Sequence, residues 1–542
     1  MDKKILWRRI ALVGAVLALH IIIVIFYGTQ KVAFHEDEYF TYYTSSAYEG
    51  INPWGEILEL TGDQIQSHFY VLDQHRFAFD KIVEIHSRDV HPPLYYLTLN
   101  CFMSFFPYSF YKWFGIFLNL AYSLVACVGL MFFMYKLDKG KHRFEVALIA
   151  GALYAIHPAV LSNVMFTRMY SMSTMWTVLY MDVFILLMQN YMGSKKKFVG
   201  ITVAGTLVCY LAFLTHYFCV YIPFFLTLGF CIYAVVRKVF YKEKCLARMF
   251  VYGGALSAGI GLAILTFPAS MEHIFGGYQG EWAFGTLLDG DPFRSLIYFL
   301  PILNRYFFSG SMYLVVAMFV VTLVVGIVLA IWNKNRKVFH LDVDVATWGI
   351  SLVAGIITVW LTAETSQLIG DMASRYFYNV AVLIMPLLFY TIVKVILLIA
   401  GKVWKQKGTM AIGTVLVVAM LAIPIAGMIQ ENVLYLYRDK IETLKYAEEN
   451  AEYPLVMIYD NAYRYKTWYI ANETWVYDKV VFIRENGENT VLDHEALKTA
   501  DKLIVYMDAS QELLDRLVEQ NENLSSWRLL RHDLHYYVYV LE

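Results

Sequence analysis

Apolar runs of about twenty residues recur along most of this chain, and they restrict its fold more than any other feature. About eleven can be marked, over residues 8–29, 112–135, 145–162, 172–191, 198–215, 219–237, 249–267, 312–332, 345–363, 378–400 and 409–429. Each is close to the length an α-helix needs to cross ~30 Å of hydrocarbon. The chain is 59% hydrophobic and only 16% charged, with mean hydropathy +0.49. A soluble domain is roughly 25% charged. The composition therefore points to a polytopic α-helical membrane protein. With a net charge of −1, no overall field favours nucleic acid as a partner.

Basic residues mark alternate connections: Lys136–Arg143, Lys195–Lys197, Arg237–Arg248, Lys334–Lys337 and Lys402–Lys407. Together with Lys3, Lys4, Arg8 and Arg9 they define the cytoplasmic side by the positive-inside rule. The first run follows the N-terminal basic residues and reads as a signal anchor, longer than a usual signal-peptide core. Leu94 to Phe106 is apolar but too short to cross, and Pro107 stops it. It reads as a helix at the outer interface.

Two outer loops are long, residues 30–93 and 268–310. The first contains Pro53-Trp54, a Gly62-Asp63 turn and an amphipathic stretch from Phe77 to Ile85. The second contains Asp289-Gly290-Asp291-Pro292, Arg294 and Arg305, and its aromatic content argues that it is ordered. After Gln430 the composition changes. Pro454–Asp460, Val480–Ile483, Leu503–Asp508 and Tyr536–Leu541 read as strands, with helical patterns at Asp439–Asn450 and Gln511–Asn521. The expectation is a membrane domain over 1–430 and a small α/β domain over 431–542. An odd number of spans puts that domain outside, with the N-terminus in the cytoplasm. The six cysteines lie in or beside apolar segments, in no metal-binding or disulfide spacing.

The ionisable residues collect at the outer ends of the runs. Glu36, Asp37 and Glu38 stand in a row just after the first run, where acid is costly unless it faces water, cations or a substrate. His91-Pro92-Pro93-Leu94-Tyr95-Tyr96 closes the first outer loop. Thr167-Arg168-Met169-Tyr170-Ser171 follows the third run, Leu214-Thr215-His216-Tyr217 the fifth, and Ala373-Ser374-Arg375-Tyr376 precedes the tenth. Run interiors are almost free of charge apart from Asp182. His20 and His157 read as structural. A belt of arginine and tyrosine at the lipid headgroups would explain part of this pattern.

Taken in order, these motifs resemble the C-type glycosyltransferases (the GT-C fold). The nearest branch is family 39-like and holds the protein O-mannosyltransferases and the lipid A aminoarabinose transferase. The resemblance covers the whole membrane part. It implies transfer of a sugar, with inversion, from a polyprenyl-phosphate carrier to a protein, lipid or cell-envelope glycan acceptor. It also implies that Asp37 is the catalytic base, with Glu38 beside it. His91, Arg168, Tyr170, His216 and Arg375 would then bind donor phosphate or sugar, with Arg294 and Arg305 as lesser candidates. A divalent cation has room in such a site, with His91 and His216 as its imidazoles.

The chemistry asks for the same parts independently of any family. Nucleotide sugars are cytoplasmic, so a transferase working outside needs a donor that crosses with its lipid. The acceptor hydroxyl needs a base, and the departing phosphate needs cations and donors. A transporter or flippase of a lipid-linked precursor is the alternative class. Transporters place ionisable groups near the midplane on broken helices and show inverted repeats, whereas no repeat is visible in this chain.

Overall fold

The computed structural model describes every residue except 1–2, 49–56, 289–290, 292, 333–344, 405, 461–470 and 534–535. Pro53-Trp54, the Lys334–Lys337 loop and most of Asp289–Pro292 lie outside the described residues. The chain divides into two compact units. One comprises Met1–Gly28, Val83–Tyr95 and Gly115–Leu434. The other comprises Thr29–Ile82, Tyr96–Phe114 and Tyr435–Glu542.

The first unit is helical. Among the described residues, nine helices are long and apolar enough to cross a membrane: Lys3–Gln30, Lys112–Leu137, Tyr170–Asn190, Lys195–Phe213, Tyr217–Tyr241, Leu246–Thr266, Val345–Thr365, Gly370–Val403 and Gln406–Ile429. Two bent pairs bring the total to as many as eleven. Arg143–Ala155 and Pro158–Met165 meet at 53°, and Arg294–Phe308 and Met312–Val328 meet at 89°. Every run marked in the sequence is matched by one of these helices or pairs.

The first bend has a local cause. Pro158 has no N–H to continue the preceding helix, but it is well placed in the first turn of a new one. His157 caps that turn by accepting from the Ala159 amide at 3.1 Å, and its Nε2 lies 2.9 Å from the Phe307 carbonyl. His20 is likewise buried between the Ala155 carbonyl and the Ser123 hydroxyl, 2.8 Å from each. Both histidines have the structural roles read from the sequence. Leu94–Met103 is a ten-residue helix, too short to span. The second long loop is ordered as three helices, Ser270–Phe275, Tyr278–Leu288 and Arg294–Phe308. All six cysteines are free.

The second unit is built on a six-stranded sheet: β1 Ile57–Leu60, β2 Leu455–Asp460, β3 Val480–Glu485, β4 Leu503–Met507, β5 Trp527–His532 and β6 Tyr537–Leu541. The strand order is β1-β3-β2-β4-β6-β5. β2 runs parallel to β3 and β4, while β1, β5 and β6 pair antiparallel with their neighbours. β2 and β4 are buried along nearly their whole length, as parallel strands usually are. The amphipathic helix Gln511–Glu519 closes this core with Leu513, Leu514 and Leu517.

Two strands escape the sequence reading. β5 has no buried residue, and two arginines interrupt its apolar residues, so its apolar signal is weak. β1 belongs to the first long loop, and pairs in register from Ile57 opposite Ile483 to Leu60 opposite Val480. Gly62, read from sequence as part of a turn, begins the helix Gly62–Ser67. Its amide donates to the Tyr477 carbonyl at 3.0 Å. A Cβ at this position would lie 2.2 Å from the Trp475 carbonyl oxygen, so only glycine allows the approach.

Candidate active site

In the helical unit, four separated segments converge on one cluster. The first is the turn after the helix Phe79–Ser87. Asp89 Oδ2 lies 3.1 Å from His91 Nδ1 and 3.4 Å from His86 Nδ1. The other ring nitrogen of His91 lies 3.2 Å from Arg168 Nη2. A guanidinium only donates, so His91 Nε2 accepts and its proton sits on Nδ1, directed at Asp89. Burial alone would raise the Asp89 carboxyl, but His91 and His86 outweigh it and hold the group well below the usual range. Burial lowers His86.

The second segment is the short break between the helices Pro158–Met165 and Tyr170–Asn190, which carries Arg168. Its backbone is shaped by Asn119, whose amide donates to the Phe166 carbonyl at 2.7 Å and the Val164 carbonyl at 3.3 Å. Gly115 lets the neighbouring helix approach, since a Cβ there would lie 2.1 Å from the Thr167 hydroxyl. Arg168 is 3% exposed. Tyr170 stacks on Phe166 with ring centres 5.9 Å apart.

The third segment is the turn at His216. Its Nδ1 accepts from the Phe218 amide at 3.1 Å, which leaves the proton of the neutral ring on Nε2. Its ring lies 5.5 Å from Tyr170 and 6.4 Å from His91. Burial, and then the neighbouring His91, Arg168 and Arg375, push His216 down to about 3. At neutral pH it is an uncharged donor. Tyr217 donates to His273 Nδ1 at 2.8 Å.

The fourth segment is the turn Gly370–Phe377. Arg375 is 8% exposed, with its guanidinium over the rings of Phe166 at 5.5 Å and Tyr376 at 5.4 Å. Tyr376 in turn lies 6.3 Å from Tyr170. His91, Arg168, Tyr170, His216 and Arg375, all named from the sequence, thus share one neighbourhood.

Asp89, His86 and His273 were not singled out there. The only trace of Asp89 is its position two residues before His91. Arg305, a lesser candidate, is exposed and pairs with Asp371 at 3.3 Å; Arg294, also exposed, is the first residue of the helix Arg294–Phe308. Among the described residues, no three His, Cys, Asp or Glu side chains are arranged to hold a metal ion.

The same unit contains a mainly apolar cavity of ≈ 380 Å³. One face of the helix Gly370–Val403 lines it through Tyr378, Met385, Phe389 and Leu397. Residues 378 to 397 cover about 30 Å of helix at 1.5 Å per residue, the thickness of a hydrocarbon core. Tyr378 is one turn from Arg375, so one end of the cavity adjoins the arginine cluster.

Asp37 and Glu38 belong to the sheet-containing unit, on the helix Glu36–Ser45. His35 is its N-cap, accepting from the Asp37 amide at 3.0 Å. Glu38 completes a capping box by accepting from the His35 amide at 2.9 Å, and takes an ion pair from Lys31 at 2.8 Å. Both members of that pair are fully buried. Lys31 also donates to the Tyr435 carbonyl at 2.8 Å. Burial lowers Lys31, and the adjacent Glu38 opposes the shift. The neighbouring acids differ. The side chain of Asp37 is 28% exposed and lies 3.7 Å from His35, and Glu36 is similarly open, 3.1 Å from the same ring.

This fold is that of the GT-C membrane glycosyltransferases. Over 97% of both chains it is similar to ArnT, the lipid A aminoarabinose transferase, from Cupriavidus metallidurans in complex with undecaprenyl phosphate, with TM-score 0.52 and 11% identity. A more distant likeness is to the oligosaccharyltransferase of Archaeoglobus fulgidus, with TM-score 0.43 and 10% identity over 92% of this chain and 72% of that one. No family model matches the chain, and no curated protein matches it.

Proposed function

We propose that the protein is an integral membrane glycosyltransferase that moves a sugar from a polyprenyl-phosphate donor to an acceptor on the outer face, with inversion. The observation that carries this reading is the convergence of Arg168 and Arg375, both buried, with neutral His216 and the aromatic faces of Tyr170 and Tyr376. Planar guanidinium forks suit a phosphate, and aromatic faces suit a sugar ring. The apolar cavity beside Arg375 gives a lipid tail a place inside the helices. The ArnT structure, with its undecaprenyl phosphate, is consistent with that class of donor.

Asp37, one of the two open carboxylates of the acidic row and the one that the family motif matches, takes the proton of the acceptor hydroxyl. The freed oxygen pair forms a bond to the anomeric carbon. The bond from that carbon to the phosphate oxygen breaks, and its electron pair leaves with the polyprenyl phosphate. Arg168, Arg375 and the His216 Nε2–H stabilise the negative charge that collects there. His91, held by Asp89, orients Arg168. Glu38 is buried against Lys31 and contributes by fixing the helix that carries Asp37. A divalent cation would find Asp89 and His91 already bonded to each other.

The test uses purified full-length protein with synthetic polyprenyl-phosphate sugars and measures release of free polyprenyl phosphate. Asp37→Asn, at matched protein amount, is expected to slow release by about 10²- to 10⁴-fold, the range of a lost general base. Release at the wild-type rate would overturn the assignment. Movement of intact donor across vesicles without release would favour a flippase.

A further inference from the structure

We infer that Asn472 is a positioning residue for Asp37, so that the C-terminal domain serves as a frame for the acidic helix. The inference rests on the reading of Asp37 as the base. One side-chain amide holds both backbone groups of Phe34. Asn472 Oδ1 accepts from the Phe34 amide at 2.9 Å, and Asn472 Nδ2 donates to the Phe34 carbonyl at 3.0 Å. A neighbouring β-strand would satisfy an extended residue in much the same way. The Tyr39 hydroxyl also donates to Asn472 Oδ1. Phe34 immediately precedes the N-cap His35, and Asp37 lies two residues further on, so Asn472 holds the helix start from both sides of Asp37.

The clasp is anchored at its other end. Next to it, Glu473 is fully buried and accepts from the Tyr506 hydroxyl on β4 and from Arg531 on β5, with Lys440 at 3.7 Å. Rings pack around the joint: Phe34 stacks on Phe110 at 5.1 Å, and Tyr39 meets Trp475 at 5.4 Å. A side chain buried this well and matched to a single residue's backbone restricts where that backbone can go. A shift of an ångström in a catalytic group is enough to lower a rate by about 10²-fold.

The experiment compares wild type, Asn472→Ala, Tyr39→Phe and Asp37→Asn as full chains in lipid nanodiscs. Steady-state transfer and hydrogen exchange over residues 32–40 are both measured. Asn472→Ala is expected to lower kcat at least tenfold, with KM for the donor changed less than twofold, and to speed exchange at the Phe34 amide. An unfolded fraction would also lower apparent kcat with KM unchanged, so kcat is referred to the amount of folded protein, counted by donor-binding stoichiometry. Tyr39→Phe keeps the ring and one clasp bond fewer, and is expected to lower kcat about threefold in the same pattern. In an Asp37→Asn background, Asn472→Ala should cost nothing further.

Unchanged kcat in Asn472→Ala, with Asp37→Asn inactive, overturns this inference and leaves the base assignment standing. Full activity in Asp37→Asn overturns the base assignment and this inference together.

Discussion

At the scale of single residues, the acidic row shows how neighbours in sequence part company in chemistry. Glu38 is buried and committed to Lys31 and the helix cap, while Asp37 stays partly exposed. No sequence pattern distinguishes them, because burial is decided by Lys31 and Tyr435, whose proximity depends on the fold. Asp89 and Asn472 were illegible for the same reason. An aspartate in a turn and an asparagine in a short helix are ordinary until their partners are known. The arginines and histidines were legible because they stand in short motifs at the outer ends of the apolar runs that, taken in order, resemble those of the C-type glycosyltransferases.

Two outcomes belong at this scale. Arg168→Ala is expected to lower kcat/KM for release by about 10²- to 10³-fold, as loss of a charge-stabilising donor does, and steady-state kinetics against donor concentration checks it. His216 provides the second. Its pKa in the folded protein, about 3, lies below the ordinary value of about 6.5. Above pH 6.5 it is neutral in both states and carries no penalty. As the pH falls below 6.5 the unfolded chain binds the extra proton first, so stability declines by at most about 1.4 kcal/mol per pH unit. Thermal melts between pH 7 and pH 4 should show this decline, and His216→Asn should flatten it.

At the scale of elements, the apolar runs fixed the number and order of helices, since bilayer length leaves few other choices. The break at His157-Pro158 falls inside a run read from the sequence as one span, although the proline imposes it. The 89° turn between Arg294–Phe308 and Met312–Val328 has no comparable mark, because Ser309 and Gly310 take up positive φ in an unremarkable sequence. The acidic helix supplies the prediction here. Glu38→Ala removes both the capping acceptor and the counter-charge of a fully buried lysine. Breaking such a pair costs roughly 3–5 kcal/mol. The variant should melt well below wild type, and Lys31→Met combined with Glu38→Leu should recover part of the loss.

At the scale of the whole molecule, the basic connections argue for a cytoplasmic N-terminus and an external C-terminal domain. A membrane-impermeant amine reagent applied to intact cells should label lysines such as Lys479 and Lys498 and leave Lys195–Lys197 unlabelled. The reverse pattern would invert the topology.

The edge strand β1 has a further consequence for biogenesis. It is synthesised before nearly all of the membrane helices, yet its partner β3 emerges only after the last of them. Until then its backbone amides face water with half their hydrogen bonds unmade, and the loop bearing Asp37 waits without its frame. A chain that stops short of residue 480 therefore carries every membrane helix but leaves β1 without its partner strand.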